Sequence, residues 1–408
     1  MGESKFVILG GGMVAGYAAK QLAELGMKPG DLAILSADRC LPYERPPLSK
    51  GFLAGKDTEE GIRISPEDFY RQHQIEVKLG CEISAVDPKR KRLKLKPGGE
   101  FGFHKLIVAT GARPRTLEIP GATLRNVYYL RSLDDSKAIR RSAETVKRAV
   151  VIGGGFIGME VAAVLVQKGV EVTMVVSEDR IWKRLFSPQM SAFFEAYFEA
   201  RGVRLIKSAT VTGLRGDGAV SAAVLAGGQA IACEMVVAGI GVRPVTDLLA
   251  TSGIDVADGV VVNEYLETSQ PDIYAAGDVA NYQDLLFEKR RRVEHWDNAV
   301  SQGQYCARSL MGERTPFRHV PYFFSDVFDL SYEYWGDSSG ADRIVHRGDL
   351  SSNSFSVWWL AGKRVVAAFT MNRPDEEREA AQKWIETKRS VSGTKLEDAS
   401  RSIQEALE

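Results

Sequence analysis

With 408 residues, 44% hydrophobic and 26% charged, the chain has the composition of an ordinary globular protein and room for two or three domains. A formal net charge of zero gives no global attraction to nucleic acid or an anionic membrane, and no run of about 18 apolar residues is present to span a bilayer. The four cysteines (Cys40, Cys81, Cys233, Cys306) show no CxxC and no metal-ligand spacing, which excludes a disulfide framework or a redox-active dithiol and makes a reducing compartment, the cytoplasm, the default.

The chain enters its first predicted strand almost at once, so no signal or transit peptide is expected. The apolar run Phe6 to Leu9 ends in Gly10-Gly11-Gly12, and a helix-compatible stretch, Tyr17 to Leu25, follows. Gly10 permits a tight turn, Gly12 lets backbone approach a pyrophosphate, and Met13 and Val14 lead to Ala15 at the small third position. The helix N-terminus offers unpaired N–H groups to phosphate. Roughly twenty residues on, Leu32 to Leu35 leads to Asp38, an acid suited to a ribose hydroxyl. Strand, glycines, helix and acid in this order predict a dinucleotide site.

Next comes Pro42-Tyr43-Glu44-Arg45-Pro46-Pro47-Leu48-Ser49-Lys50, extended by its three prolines. As residues alone, it reads equally well as a rigid surface loop or as a cofactor lining. Placed after the Gly-Gly-Gly turn, the string resembles the flavoprotein reductases that include ferredoxin reductases, the apoptosis-inducing-factor group and monodehydroascorbate reductases. The resemblance implies that Arg45 and Lys50 lie along FAD, with Lys50 at the reactive edge of the ring.

Residues 75–108 alternate short apolar runs with charged turns and read as strands, with Ser84 among them expected at the cofactor. The last run meets Ala109-Thr110-Gly111, which is either a plain strand-end turn or, by the resemblance, the second FAD motif. Arg131, after Tyr129-Leu130, resembles a further FAD contact; a surface arginine is the alternative.

A second unit repeats the first pattern. Ala149 to Ile152 leads into Gly153-Gly154-Gly155-Phe156-Ile157-Gly158, then a helix pattern, then Glu171 to Val176 ending at Ser177-Glu178. All three glycines of the fingerprint and the late acid are present. Two such units predict two different dinucleotides, a flavin at the first and a nicotinamide nucleotide at the second. Glu178 favours NADH because a carboxylate repels a 2′-phosphate, while Arg180, Lys183 and Arg184 leave NADPH possible. Glu160, just after the glycines, is the candidate for positioning the nicotinamide; a first-turn glutamate favoured by the helix dipole is the alternative. The resemblance brings Gly241, in Gly239-Ile240-Gly241, to the nicotinamide side, where a loop between domains also fits.

The string Thr268 to Ala280 ends a strand at Gly277-Asp278, and by resemblance it is the third FAD motif, with Asp278 on the ribitol. Lys289-Arg290-Arg291-Arg292-Val293-Glu294-His295-Trp296 follows. Alone, its basic run is a solvated face; by resemblance the segment passes the flavin, with Glu294, His295 and Trp296 at the cofactor and Arg291 and Arg292 as fixed positive charge for an anionic acceptor. From Val320 on, alternating apolar residues predict an antiparallel sheet, and Glu376 to Lys388 a helix. Trp335 stands where monodehydroascorbate reductases often carry tyrosine, which keeps an aromatic surface for the acceptor but loses a hydroxyl. The polar tail after Ser390 is expected to be loosely packed or helical and carries no functional signal.

The resemblance thus implies an α/β protein with two Rossmann-like domains. The NAD domain (119–246) is inserted in a discontinuous FAD domain (1–118 and 247–319), and an α+β interface domain (320–408) follows. It implies an NADH-dependent FAD enzyme. The acceptor is a small molecule (the monodehydroascorbate radical first, or a quinone) or, alternatively, a ferredoxin or rubredoxin; an apoptosis-inducing-factor-like flavoprotein with slow oxidase activity is the third reading. No cysteine pair is placed to relay electrons, so the acceptor takes them from flavin directly.

Overall fold

The computed structural model describes residues 2–183 and 185–408, in two compact units. The first comprises Met1–Glu44, Glu59–Arg113 and Arg243–Tyr322; the second comprises Arg45–Thr58, Pro114–Val242 and Phe323–Glu408.

In the first unit the strand Gly2–Leu9 runs parallel to Leu32–Leu35 on one side and to Glu100–Val108 on the other. Glu76–Lys78 extends the sheet at one edge, and Ile273–Ala275 pairs parallel to Glu100–Val108. Phe6, Val7, Ile8 and Leu9 are all buried, as an inner parallel strand covered on both faces must be. Helix Met13–Glu24 packs through Ala15, Ala18, Ala19 and Leu22, and lies against helix Trp296–Leu310. The hairpin Ile83–Asp87 and Arg92–Leu95 joins at the N-terminal end of Glu100–Val108, where Leu93 pairs with Phe101. A small sheet carries Gly259–Val261, Ala280–Asp284 and Lys289–Arg292.

The second unit repeats the parallel arrangement, in the order Val203–Ile206, Glu171–Val175, Arg148–Ile152, Met235–Ala238, Val127–Tyr128. Helix Phe156–Gln167 follows the second glycine turn. An antiparallel sheet then runs in the order Tyr322–Val327, Leu330–Gly336, Arg364–Met371, Ser354–Ala361, Arg343–Asp349, with helix Asp375–Glu386 packed on it. Trp358, Trp359 and Phe369 are buried, as the alternating pattern requires.

The segment Arg45–Thr58 belongs to the second unit, where Arg45 donates to the Arg131 carbonyl and the Leu48 carbonyl accepts from Ser136 at 2.7 Å. The tail follows the helical alternative, with short helices Gly393–Glu397 and Ile403–Ala406, and is not loose. Val391, Leu396, Ile403 and Ala406 are buried, and the buried guanidinium of Arg347 donates to the carbonyls of Leu396 (3.1 Å), Asp398 (2.6 Å) and Arg401 (2.6 Å) while pairing with Glu377. No helix among the described residues is long and apolar enough to cross a membrane.

Candidate dinucleotide sites

In the first unit, register brings three motifs to one edge. Leu9 pairs with both Leu35 and Val108, and Val108 with Ala275. The residues that follow these strands, Gly10, Ala109-Thr110-Gly111 and Gly277-Asp278, therefore emerge side by side at the C-terminal ends of parallel strands, where ligands of open α/β sheets bind. Gly10 has φ +125°, and a Cβ there would lie 2.1 Å from the Ala109 carbonyl oxygen. Helix Met13–Glu24 starts at Gly12 with no side-chain cap and no acid in its first turn, so its amide donors stay open to a phosphate. Met13, Val14 and Ala15 are buried and serve the core, leaving backbone N–H groups as their contribution to a ligand. Asp278 is buried in the short 3-10 turn Gly277–Val279, whose first amide donates to Gln302 Oε1 at 2.7 Å. Thr110 donates its hydroxyl to the Val245 carbonyl at 2.7 Å. An uncapped helix N-terminus, a close backbone approach and a buried acid fit a dinucleotide with a hydroxyl-bearing chain.

Ser84 is exposed and donates to the Lys94 carbonyl at 3.2 Å; three residues before it, the Cys81 amide donates to the Ser36 carbonyl at 2.7 Å, beside the Gly11 turn. The Asp38 carboxylate accepts from the amides of Arg39 (2.7 Å) and Cys40 (3.3 Å) and from the Tyr43 hydroxyl (2.9 Å), so it shapes its own loop with the same oxygens a ribose would use.

The segment before helix Trp296–Leu310 pairs its arginines within the unit. Arg291 Nε lies 2.8 Å from Asp284 Oδ2, an ion pair whose N–H is not aimed along that line, and its guanidinium covers the Phe287 ring. Arg292 pairs with Asp258 (3.1 Å) and Glu294 (2.5 Å) and donates to the Asp278 carbonyl (3.1 Å). Both arginines expected to meet an anion are thus committed to carboxylates of their own unit. His295, at the N-cap, is pushed down to about 4 by burial, with Asp278 and Asp297 opposing, and is neutral near pH 7. Trp296 donates its indole N–H to Glu44 at 2.6 Å.

In the second unit, Gly153 has φ +107°, and a Cβ there would lie 2.3 Å from the Gly239 carbonyl oxygen. Helix Phe156–Gln167 starts at Gly155, again without a side-chain cap. Ile157 is exposed and Gly158 buried, as expected for a turn open to a ligand on one side and packed on the sheet on the other. Gly241 accepts from the Arg115 amide at 2.9 Å. Glu178 is half-buried after strand Glu171–Val175. Arg180 turns its guanidinium to the carbonyls of Lys183 (3.1 Å) and Phe186 (3.3 Å), and Lys183 pairs with Asp179 at 3.1 Å. Arg184 lies outside the described residues.

The buried carboxylate of Glu160 takes Lys50 Nζ on Oε1 at 2.7 Å, Ser325 Oγ on the same oxygen at 2.5 Å, and Ser49 Oγ on Oε2. Sequence reasoning singled out Lys50 and Glu160 but neither serine. Ser49 stands inside the Pro42–Lys50 string, yet no spacing links residues 49, 160 and 325. Gln302 was also missed; the signal was a polar residue on the buried face of a helix. Trp335 is buried, opposite Ala368 in the neighbouring strand.

Two Rossmann-like turns followed by an antiparallel C-terminal sheet define an oxidoreductase built for two dinucleotides. The chain matches the pyridine nucleotide-disulphide oxidoreductase family over residues 4–303 and the reductase C-terminal family over 322–407. It is 34% identical to a monodehydroascorbate reductase of Cucumis sativus, with 96% of each chain covered. It is also 34% identical to putidaredoxin reductase of Pseudomonas putida, covering 98% of this chain and 96% of that one. Among solved structures it is similar to a ferredoxin reductase from Rhodopseudomonas palustris, with TM-score 0.94, 32% identity, and coverage of 99% of this chain and 100% of that one. The reductase in a covalent putidaredoxin reductase–putidaredoxin complex gives TM-score 0.95, 33% identity, and coverage of 100% and 98%. The chain belongs to the pyridine nucleotide-disulphide oxidoreductase family. The family's cofactors are FAD and NADH, and the two turns fit them.

Proposed function

We propose that this chain carries electrons from NADH, by way of FAD, to a small acceptor, with the monodehydroascorbate radical as the first candidate. The observation that carries the reading is the pair of glycine turns, each opening an uncapped helix N-terminus. The first would hold FAD with Gly10, Thr110 and Asp278; the second would hold NADH with Gly153, Gly158 and Glu178. Bound FAD would supply a two-electron acceptor for hydride and a donor for one- or two-electron acceptors. The chain's own part is to bind and orient both nucleotides, and Glu160 with Lys50 would fix charge at the hydride-transfer site.

The monodehydroascorbate reductases of cucumber and pea support the small acceptor. A second reading, reduction of a ferredoxin or rubredoxin, is supported by the putidaredoxin and rubredoxin reductases of Pseudomonas putida. It is favoured by the pairing of Arg291 and Arg292 with carboxylates of their own unit. The domain limits 1–118 with 247–319, 119–246 and 320–408, and a cytoplasmic location, belong to the same proposal.

The test is NADH oxidation by the purified yellow protein with the ascorbate radical, with a quinone, and with a ferredoxin or rubredoxin. Turnover with the radical that is insensitive to salt supports the small acceptor. Turnover only with the protein acceptor, falling steeply with salt, supports the second reading. Slow turnover with all of them would leave the apoptosis-inducing-factor-like reading. A colourless protein that FAD cannot reconstitute would overturn all three.

A further inference from the structure

We propose that Ser325 is a positioning residue for the hydride-transfer site: its buried hydroxyl locks the Glu160 carboxylate, and through it Lys50, in a single orientation. The inference rests on the reading of Glu160 and Lys50 given above. Glu160 is 4% exposed, so its charge needs donors on the protein. Lys50 alone would leave the carboxylate free to turn about its last torsion, which is broad for glutamate. Donors on both oxygens remove that freedom: Ser325 and Lys50 share Oε1, and Ser49 takes Oε2.

The strand that carries Ser325 explains why the hydroxyl stays in place. In Tyr322–Val327 the inward residues are Phe323, Ser325 and Val327, all buried, so Ser325 is held between two apolar anchors. A hydroxyl that is 1% exposed in such a row costs stability unless it is bonded, and the Glu160 carboxylate is its partner. The adjacent Phe324 places its ring centroid 5.7 Å from Lys50 Nζ, so one strand acts on both members of the ion pair. Tyr332 is buried near the carboxylate; burial pushes its phenol up, and it adds no competing charge. The strand belongs to the C-terminal reductase region, and Glu160 and Lys50 to segments far earlier in the chain. The C-terminal region thereby completes the carboxylate–ammonium pair of the nucleotide-binding region.

The experiment compares Ser325→Ala, Ser325→Thr and Glu160→Gln, and combines Ser325→Ala with Glu160→Gln, all as FAD-loaded protein. Flavin bleaching by NADH is followed in single turnover. In parallel, acetic anhydride labelling of Lys50 against exposed Lys56 is mapped by mass spectrometry, with and without nucleotide. Ser325→Ala should slow flavin reduction by about 10-fold, the scale of one lost hydrogen bond to a charged group, and should raise Lys50 labelling severalfold. Ser325→Thr should keep both near wild type. In the Glu160→Gln background Ser325→Ala should add nothing, because its effect passes through that carboxylate. Ser325→Cys, nearly isosteric with a weak donor, replaces the alanine variant if that one does not fold. Additive losses in the double variant, or a threonine variant as impaired as alanine, would overturn the proposal. If NADH fails to reduce even the wild-type flavin, the functional reading falls, while Lys50 labelling still reports whether Ser325 holds the pair.

Discussion

Trp296 donates its indole N–H to Glu44 Oε2 at 2.6 Å, and the other oxygen of the same carboxylate takes the Tyr17 hydroxyl, also at 2.6 Å. The two rings meet edge to face, 6.3 Å apart. Glu44 thereby ties the first turns of both long helices of the FAD-side unit to the proline-rich segment. Glu44→Gln can keep an oxygen on the indole and turn its NH2 to the Tyr17 hydroxyl, which also accepts, so the test is Glu44→Leu, which leaves both donors without an acceptor. The expected cost is about 1–2 kcal/mol in denaturant unfolding, with a shift in tryptophan emission as Trp296 loosens. An unchanged midpoint and spectrum would show that the carboxylate is not the tie.

His295 gives the protein an acid-side sensitivity. Burial holds its imidazole at about 4 in the folded state, below the ordinary value of 6.5, with Asp278 and Asp297 drawing it up and Arg291 pushing it down. Between these values the unfolded chain binds a proton that the folded chain refuses. Stability that is present above pH 6.5 is therefore lost as pH falls toward 4, by up to about 3 kcal/mol for a shift of this size. Urea midpoints measured from pH 7 to pH 4 should fall less steeply in His295→Asn than in wild type. Parallel curves would assign the acid loss to other groups.

The nucleotide preference is tested at Glu178. Arg180 spends its guanidinium on the carbonyls of Lys183 and Phe186, and Lys183 is paired with Asp179, so neither presents an uncommitted charge to a 2′-phosphate. Glu178→Ala should raise kcat/KM for NADPH relative to NADH by roughly 10-fold or more, as a repulsive element is removed. A wild-type enzyme that already prefers NADPH would mean that another group sets the choice.

Much of the FAD-side architecture was legible in the sequence because it is local. A strand that must end in glycine, and another that must end at Gly277-Asp278, announce themselves within a dozen residues, and parallel register then brings their ends together. What stayed hidden depends on pairing between distant segments. Nothing near Arg291 names Asp284 as its partner, and nothing near Ser325 names Glu160. The polar composition of the tail masked the few apolar residues, Val391, Leu396, Ile403 and Ala406, that hold it down.

The acceptor question turns on Arg291. Read as a basic run beside the flavin, Arg291 and Arg292 should serve an anionic radical, and their loss should spare a neutral quinone. Their partners argue otherwise. Asp284 is 3% exposed in its side chain, and its other oxygen is bonded to the amides of Leu286 (2.8 Å) and Phe287 (3.2 Å), so it cannot turn out to solvent. Arg291→Ala leaves that charge buried without its counter-ion, a loss of about 3–5 kcal/mol when no rearrangement compensates. Arg292→Ala should cost far less, because Asp258 and Glu294 are exposed in their side chains and regain water. The expected outcome for Arg291→Ala is a lowered melting temperature with equal loss of kcat/KM toward the ascorbate radical and toward a quinone. Normal melting with loss confined to the radical would restore the anion site. Because the two readings predict opposite pairings of stability and selectivity, melting and the two-acceptor ratio together decide between a structural arginine and a substrate-binding one.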